Sequence, residues 1–280
     1  MNSTQQPHRL WVVRHGERAD AANPLWHLTT TRPHDPPLTA EGIRQAESTA
    51  EALRRKCHQQ PIEAVYTSPF LRCLETAAAI ASALQLPLKV EPGLSEWLSQ
   101  NLVGECHPVD AAMAEQAAEV ATRMNVQIDL TYAPLWDHAP RRAFLEAQGA
   151  WFLPKATKFA PLPFPETQDQ VVQRYVATLQ VLRERDRFRG AVFVSHAICV
   201  QAAAQSSGAP AVAKVDYCAV ATVVERLHGM RKDTRGWQYE PCAACGGAVC
   251  ACLSVGRGEE AAAVAFSGLL ISGRDQEVGS

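Results

Sequence analysis

The sequence predicts an α/β fold: a three-layer sandwich with a mostly parallel central sheet, helices on both faces and an inserted lid region. Short apolar runs typical of buried strands alternate along the chain with amphipathic helical segments, and this alternation favours a parallel sheet. Hydrophobic residues make up 47% of the 280 residues, which is enough for one large core. We therefore expect a single domain over residues 1–280, with its core at about 8–100 and 165–280 and an insertion at about 101–165.

Four short runs have the composition of buried strands. They are Leu10–Val13, Ala64–Tyr66, Leu88–Val90 and Ala191–Ser195. The last of them begins with apolar residues only, which suits a central strand buried on both faces.

Helices are predicted from capping residues and from apolar spacing. Thr39 is a candidate N-cap, and the helix that follows it continues through Leu53. Ser68 followed by proline predicts a second helix that begins there and runs to about Leu84. Val171–Arg185 is predicted to be a long amphipathic helix.

Three segments fit this alternation poorly. Ala21–Pro37 is rich in proline, threonine and histidine and is predicted to be a loop. Asn101–Glu166 carries many proline, tryptophan and alanine residues, and its position between core elements suggests a lid or wall with one or two helices. Glu240–Gly258 is rich in cysteine and glycine and is expected to be irregular.

Charge and composition exclude several classes of protein. The net charge of −2 gives no overall attraction to nucleic acid or to an anionic membrane. Met1–Arg9 is polar, unlike a signal peptide, and the longest apolar segment, Ala261–Ile271, is too short to span a bilayer. Nine scattered cysteines fit reduced thiols better than a disulfide scaffold. We therefore expect a cytoplasmic protein without nucleic-acid or membrane partners, with a homodimer left open.

The run Arg14-His15-Gly16-Glu17-Arg18 directly follows the first predicted strand. Neighbouring cations lower the pKa of a histidine, and a neutral ring keeps the lone pair that a nucleophile needs. The planar guanidinium group of arginine can donate two parallel hydrogen bonds to the oxygens of a phosphate group. The motif therefore indicates a histidine that attacks phosphorus while the nearby arginines bind the phosphate oxygens, an arrangement that we call the cationic cradle. A solvated surface turn would contain the same residue types.

Two further cationic residues occupy positions that suit an anion. Arg72 falls in the first turn of the predicted second helix, where a bound anion would offset the unfavourable charge on the helix dipole. His196 follows the fourth strand, and ligands of open α/β sheets bind beyond the carboxyl ends of strands. We expect His15 and His196 to face each other across one crevice. The alternatives are a solvated arginine and a hydrogen-bonded structural histidine.

Glu96 is the candidate acid. It follows a Pro92-Gly93 turn and stands beside Trp97, whose ring would partly desolvate the carboxyl group. Desolvation raises a carboxyl pKa and favours the protonated form, which is suited to a general acid. An exposed carboxylate near a turn is the alternative.

Four cysteines near the end of the chain, Cys242, Cys245, Cys250 and Cys252, have half of the pattern of a zinc site. The last pair is separated by a single residue, unlike the pairs of a zinc finger, and no histidine pair lies nearby. We therefore expect no metal at these cysteines.

Several motifs together carry a resemblance to a known family. They are Arg14-His15-Gly16, Leu38-Thr39-Ala40-Glu41-Gly42 with Gln45-Ala46, Ser68-Pro69 with Arg72 and Glu75-Thr76-Ala77, and Ser195-His196-Ala197. In identity and order they resemble the histidine phosphatase superfamily, also called phosphoglycerate mutase-like. The resemblance implies a phosphohistidine intermediate on His15, with Arg14, Arg72 and His196 holding the phosphoryl oxygens.

A closer resemblance is to the phosphatase domain of the suppressors of T-cell receptor signalling and to the similar insect ecdysteroid phosphate phosphatases. The shared residues are Arg14 to Arg18, Ser68-Pro69 followed by Leu71-Arg72-Cys73, and Val90 to Leu94 followed by Glu96-Trp97. This resemblance implies that Arg18 is a further phosphate ligand and that Glu96 is the proton donor. The insertion departs from the family pattern, and no ubiquitin-associated or SH3 module is seen, so neither a substrate nor a recruited partner is implied.

The predicted mechanism needs no metal or other cofactor. Phosphoryl transfer spreads negative charge over three equatorial oxygens, and fixed cations and N–H donors stabilise that charge. One nitrogen of His15 attacks while the other donates to a backbone carbonyl, which fixes the tautomer. Glu96 protonates the leaving oxygen and later activates water.

These residues predict a metal-independent phosphomonoesterase of the histidine acid type, acting on phosphotyrosine or a small phosphate ester. One alternative is a phosphoglycerate mutase-type phosphotransferase. Such mutases usually have serine and then asparagine where this chain has Arg18 and Asp20, which favours hydrolysis. The other alternative is a non-catalytic protein that binds a phosphorylated ligand.

Overall fold

A computed structural model describes residues 7–103, 109, 111–136, 162–225 and 237–252. These residues contain seven strands: β1 (Arg9–Arg14), β2 (Ala64–Thr67), β3 (Leu88–Val90), β4 (Gly190–Ser195), β5 (Val220–Glu225), β6 (Trp237–Glu240) and β7 (Val249–Cys250). They form one sheet in the order β3-β2-β4-β1-β5-β6, with β7 also paired to β5.

The first four strands run parallel, and the last three form an antiparallel margin. β1 and β2 both pair in parallel with β4, and β3 pairs in parallel with β2. β5 is antiparallel to β1, β6 and β7. Arg14 is level with Ser195, so the carboxyl ends of β1 and β4 open onto the same edge of the sheet. The mostly parallel α/β fold is therefore confirmed.

Seven helices are described: α1 (Ala19–Ala22), α2 (Ala40–Cys57), α3 (Leu71–Leu84), α4 (Gln100–Val103), α5 (Ala111–Arg123), α6 (Gln168–Asp186) and α7 (Ala197–Ser206). Single 3-10 turns lie at Trp26–Leu28 and Pro92–Leu94. Thr39 caps α2 as predicted, since its side chain accepts a hydrogen bond from Gly42 N at 2.9 Å.

The helices lie on both faces of the sheet because strand side chains alternate between them. On β1, Leu10 and Val12 pack with α6 and α7, in a cluster that includes Tyr175. Trp11 and Val13 lie on the opposite face of the sheet and pack with α2, α3 and α5. Both clusters are closed to water, so the three-layer arrangement fixes where each strand ends and where its C-terminal residues point.

Two local predictions need correction. The helix predicted from Ser68 begins at Leu71, because the N-cap is Phe70 and because Asp35 Oδ1 accepts a hydrogen bond from Leu71 N at 2.8 Å. A residue from a distant loop thus replaces the local cap. The tail also contains more regular structure than expected, since Val249–Cys250 is a strand of the main sheet.

Part of the predicted insertion is also described. α5 contributes Ala117 and Val120 to the core beside α3. Residues 137–161 of the insertion and the apolar segment at 261–271 lie outside the described residues. Within the described part of the chain, no helix has the length and apolar character needed to cross a membrane.

Candidate active site

His15 stands at the end of β1 with one ring nitrogen held and the other free. The ring is buried, with 1% of the residue exposed. Nδ1 lies 2.8 Å from the carbonyl oxygen of Gly16. A carbonyl oxygen only accepts, so Nδ1 carries the proton and Nε2 keeps its lone pair. The predicted backbone contact of the second nitrogen is therefore present.

The surroundings of His15 keep the ring neutral. Burial lowers the pKa of His15 well below its usual value, and the charges of Arg72, His196 and Arg14 lower it further. Burial is thus the first cause, ahead of the arginines on which the sequence argument relied.

Close backbone packing sets the loop that carries His15. A Cβ atom on Gly16 would lie 2.5 Å from the carbonyl oxygen of Gly42, and one on Gly42 would lie 2.1 Å from the carbonyl oxygen of Glu17. Gly16 N also donates to Thr76 Oγ1 at 3.0 Å. Gly16, Gly42 and Thr76 belong to separate sequence motifs. Together they hold the loop that carries His15 against the start of α2 and the first turns of α3.

His196 faces His15 from the end of β4, as the sequence predicted. The ring centroids are 5.5 Å apart. Nδ1 of His196 lies 3.1 Å from Glu96 Oε2, and Nε2 lies 3.1 Å from Ser68 Oγ. Burial lowers the pKa of His196 to about 4, against an opposing contribution from Glu96. The neutral ring thus donates from Nδ1 to the carboxylate and accepts from the serine hydroxyl.

Arg72 is buried at the N-terminal end of α3, with 2% of the residue exposed. Nη2 donates to Glu96 Oε2 at 3.2 Å, and Nη1 donates to the carbonyl oxygen of His34 at 3.3 Å. Nη1 also lies 3.7 Å from Asp35 Oδ1. The alternative of a solvated arginine is therefore wrong, because two carboxylates and a backbone carbonyl hold this cation in the interior.

Arg14 and Arg18 lie farther toward solvent. The guanidinium carbon of Arg14 is 4.1 Å from the centroid of the Tyr217 ring, and Nη1 donates to the carbonyl oxygen of Val215. Arg18 Nε lies 2.8 Å from Asp20 Oδ1, and 33% of the Arg18 side chain is exposed. The charge of Arg18 contributes to lowering the pKa of Arg14, after burial, so the two cations are near neighbours.

Glu96 differs from its prediction. Burial by itself raises the pKa of Glu96, but the interaction with His196, through its hydrogen bond, and the charge of Arg72 hold that pKa well below its usual range. Trp97 N donates to Oε1 at 3.0 Å and favours the charged form as well. The expectation that Trp97 keeps this carboxyl protonated is therefore wrong for this arrangement, in which Glu96 is a carboxylate.

A buried ion pair positions the turn that carries Glu96. Arg174 Nε lies 2.7 Å from Glu166 Oε1, and both side chains are almost completely buried. Arg174 also donates to the carbonyl oxygens of Gly93, Ser95 and Glu96, at 2.7, 3.1 and 3.0 Å. One guanidinium thus ties three backbone carbonyls together directly before the carboxylate.

Sequence reasoning did not assign roles to several residues of this site. Ser68 was treated as a helix cap, and Asp35 lies in a loop without any distinguishing pattern. Tyr217 lies outside the motifs described above, and Arg174 is one charge among several on an amphipathic helix. Their contacts depend on chain segments far apart in sequence.

Residues 10–130 match the model of the "Histidine phosphatase superfamily (branch 1)". The matched superfamily is the one that the motifs predict, and the match extends over residues 10–130. Two curated relatives show the range of proteins that carry a similar region. The transcription factor tau 55 kDa subunit of Saccharomyces cerevisiae is 38% identical over 90 residues, 31% of this chain and 20% of that protein. The ubiquitin-associated and SH3 domain-containing protein B of Mus musculus is 32% identical over 167 residues, 48% of this chain and 25% of that protein. The chain thus spans a quarter or less of these relatives.

Among solved structures, the ecdysone phosphate phosphatase from Bombix mori, in complex with tungstate, has a TM-score of 0.53 to this chain. The likeness covers 81% of this chain and 96% of that one, at 21% sequence identity. At this identity the likeness shows a common fold, and it agrees with the sheet and helix layers described above.

Proposed function

We propose that this protein is a metal-independent phosphomonoesterase that forms a phosphohistidine on His15. The observation that carries the proposal is the state of the His15 ring. Nδ1 is held by the Gly16 carbonyl, Nε2 has a free lone pair, and burial lowers the pKa so that the ring stays neutral. Membership of residues 10–130 in a phosphatase superfamily supports the same reaction.

In the first step, Nε2 of His15 attacks phosphorus, the N–P bond forms and the ester P–O bond breaks in line with it. Arg72 and His196 face the equatorial oxygens from within the protein, while Arg14 and Arg18 approach from the solvent side. Fixed donors in a desolvated site stabilise developing negative charge without reorganising. Because two of these four groups are buried and two lie nearer solvent, we expect them to contribute unequally to stabilising the transition state.

Glu96 supplies and later accepts the proton. A phosphate ester that binds Arg72 and His196 competes for the two groups that keep Glu96 ionised, and it adds negative charge beside the carboxylate. Both effects raise the pKa of Glu96. A substrate monoanion, whose own second pKa is about 6, brings the proton. Glu96 passes that proton to the leaving oxygen, then takes one from the water that attacks the phosphohistidine and releases inorganic phosphate.

Because the proton arrives with the substrate monoanion, we expect activity to be greatest at mildly acidic pH and to fall on the alkaline side. The lowered pKa of His15 keeps the nucleophile neutral in that range. The proposed substrates are phosphotyrosine and small phosphate esters. The Arg18–Asp20 ion pair stands where mutases have serine and asparagine, which favours hydrolysis over mutase chemistry.

The test is a panel of phosphate esters assayed without added metal, combined with acid- and base-stability analysis of trapped enzyme. We expect turnover of at least one ester and a phosphoryl label on His15 that is lost in acid and kept in base. His15→Ala should give neither, whereas His58→Ala, at an exposed histidine after α2, should give both. Binding of phosphate or vanadate without turnover of any ester would instead indicate a phospho-ligand binding protein and overturn the proposal.

A further inference from the structure

Four thiols converge at the antiparallel margin of the sheet. The Sγ atoms of Cys242, Cys245, Cys250 and Cys252 all lie within 4.8 Å of one another. In a tetrahedral zinc site the Zn–S bonds are about 2.3 Å long, which sets the sulfurs about 3.8 Å apart. The four side chains therefore need only small rotations to surround one ion. We propose that these four cysteines bind a structural zinc ion as thiolates.

The spacing of the last pair fits such a site because Cys250 ends β7 and Cys252 follows two residues later, in a turn outside the strand. Successive strand residues point to opposite sides, so Val249 on one side places Cys250 on the other. Val249 and Ala251 pack against the core between the sheet and the α6/α7 layer. The sulfurs of Cys250 and Cys252 lie within 4.8 Å of those of the other two cysteines. The single intervening residue, which counted against a metal in the sequence, is what places both sulfurs together.

The first pair is brought together by a tight turn. Gly246 N donates to the carbonyl oxygen of Cys242 at 2.7 Å, and Cys242 N donates to the carbonyl oxygen of Gly247 at 2.9 Å. Gly246 has a φ of 71°, in the left-handed region that glycine adopts without strain. This closed turn brings the sulfurs of Cys242 and Cys245 together, within 4.8 Å of those of Cys250 and Cys252.

The composition of this segment explains why a metal is needed there. Between Pro241 and Cys252, Val249 is the only large aliphatic side chain. A segment with so little apolar surface gains little from burial, and a bound metal can supply the missing folding energy. Cys245 is exposed and the other three cysteines are partly buried, so an ion can enter from solvent. A set of four cysteine sulfurs that can surround one ion is typical of structural zinc.

The proposed ion would also anchor the strand beside the candidate active site. Cys250 pairs with Val220 at the start of β5. The residues just before that strand include Tyr217, whose ring contacts the Arg14 guanidinium. The zinc site is thus a structural support for the margin of the sheet next to the cationic cradle, and it takes no part in phosphoryl transfer.

The test is the metal content of the full chain, purified under reducing conditions from cells supplied with zinc. We expect one zinc ion per chain by elemental mass spectrometry. Cobalt substitution should give thiolate-to-cobalt charge-transfer bands and the visible absorption of a tetrahedral site. Cys242→Ser and Cys250→Ser should lose the zinc and the bands. Cys57→Ser, at a partly buried cysteine of α2 outside the cluster, should keep both.

Three results would overturn the proposal. They are wild-type protein without stoichiometric zinc that also fails to take up cobalt after reduction, iron in place of zinc, and a non-reduced mass that shows the four cysteines paired in disulfides. Cobalt uptake by the wild type and by Cys57→Ser remains decisive if the serine variants of the cluster fail to fold. Metal content is measured without any assay of turnover, so this result is independent of the proposed phosphatase activity.

Discussion

The parallel half of the sheet and its antiparallel margin assemble reactive side chains in different ways. In the parallel half, His15, Arg72, Glu96 and His196 come from four separate strand ends and helix starts, and they meet only when the sheet is formed. In the margin, the four cysteines come from the single stretch 242–252 and meet through one turn and one strand. The first arrangement depends on long-range order, and the second on local backbone geometry.

The two regions also differ in how their polar groups are stabilised. The buried cations of the parallel half are matched by carboxylates, as in the Arg72–Glu96 and Arg174–Glu166 pairs. Such pairs are costly to break because an unpaired charge is left in the interior. The cysteine cluster is closer to solvent and contains no such pair. We therefore expect changes in the first region to affect turnover most and changes in the second to affect stability most.

The largest effect is expected for His15→Ala. Loss of the proposed nucleophile should lower turnover by about 10⁴-fold or more, because the proposed covalent intermediate forms on this ring. The thermal midpoint should stay near that of the wild type, since the smaller side chain is accommodated at the end of β1. Nearly normal turnover in a folded variant would refute the histidine mechanism and the role given to this edge of the sheet.

Arg72 and Arg18 should contribute unequally to turnover, because Arg72 is buried and Arg18 is partly exposed. Arg72→Ala should lower turnover by about 10²–10³-fold, as for a lost oxyanion donor. Arg18→Ala should cost only about tenfold, because Arg18 is partly exposed and its charge is screened by solvent. Steady-state kinetics and protection by vanadate against thermal unfolding measure both variants. Equal losses of turnover in the two variants would mean that burial does not determine how much each arginine contributes.

Glu96→Gln should affect poor leaving groups more than good ones. An alkyl phosphate needs a proton on its leaving oxygen, whereas nitrophenyl phosphate departs without much protonation. The ratio of alkyl to nitrophenyl rates should therefore fall by about 100-fold, and the alkaline decline of the pH–rate profile should disappear. If both substrates lose the same factor, Glu96 only orders Arg72 and His196, and the acid is another group.

His196 should make the wild type sensitive to mild acid. Burial lowers its pKa to about 4 in the folded protein, against about 6.5 when unfolded, so the unfolded chain binds more protons between these values. Stability from the neutral ring is complete above pH 6.5 and is lost as the pH falls toward 4. Between pH 6.5 and 5 the loss should be about 2 kcal/mol. In urea unfolding, His196→Gln should lose less over that interval, and an unchanged pH dependence would contradict the assignment.

Removing metal from the margin should have the smallest effect on turnover. A chelator should lower the thermal midpoint, while turnover of nitrophenyl phosphate changes by less than about threefold, under about 1 kcal/mol in the barrier. The loop beside His15 is held by its own bonds, such as the one from Cys218 N to the His15 carbonyl oxygen at 3.2 Å. If the thermal midpoint and turnover both fell strongly, the two regions would depend on each other, and the contrast drawn between them would be wrong.

Features that depend only on neighbouring residues can be predicted from the sequence. The strand runs, the Thr39 cap and the motif order around His15 and His196 could all be identified, because apolar period and capping are local properties. The helix predicted from Ser68 failed by a few residues, since the cap that matters is Asp35, brought in by the fold.

The charge state of Glu96, the contacts of Arg174 and the convergence of the cysteines depend instead on how the folded chain brings its segments together. Glu96 has an adjacent tryptophan in sequence, yet its pKa follows His196 and Arg72, which reach it from other elements. Cys250 and Cys252 have an unusual spacing in sequence, yet the fold brings both sulfurs within 4.8 Å of those of Cys242 and Cys245. Electrostatic energies and ligand geometry depend on distances in space, and a linear pattern specifies those distances only once the neighbouring strands are known.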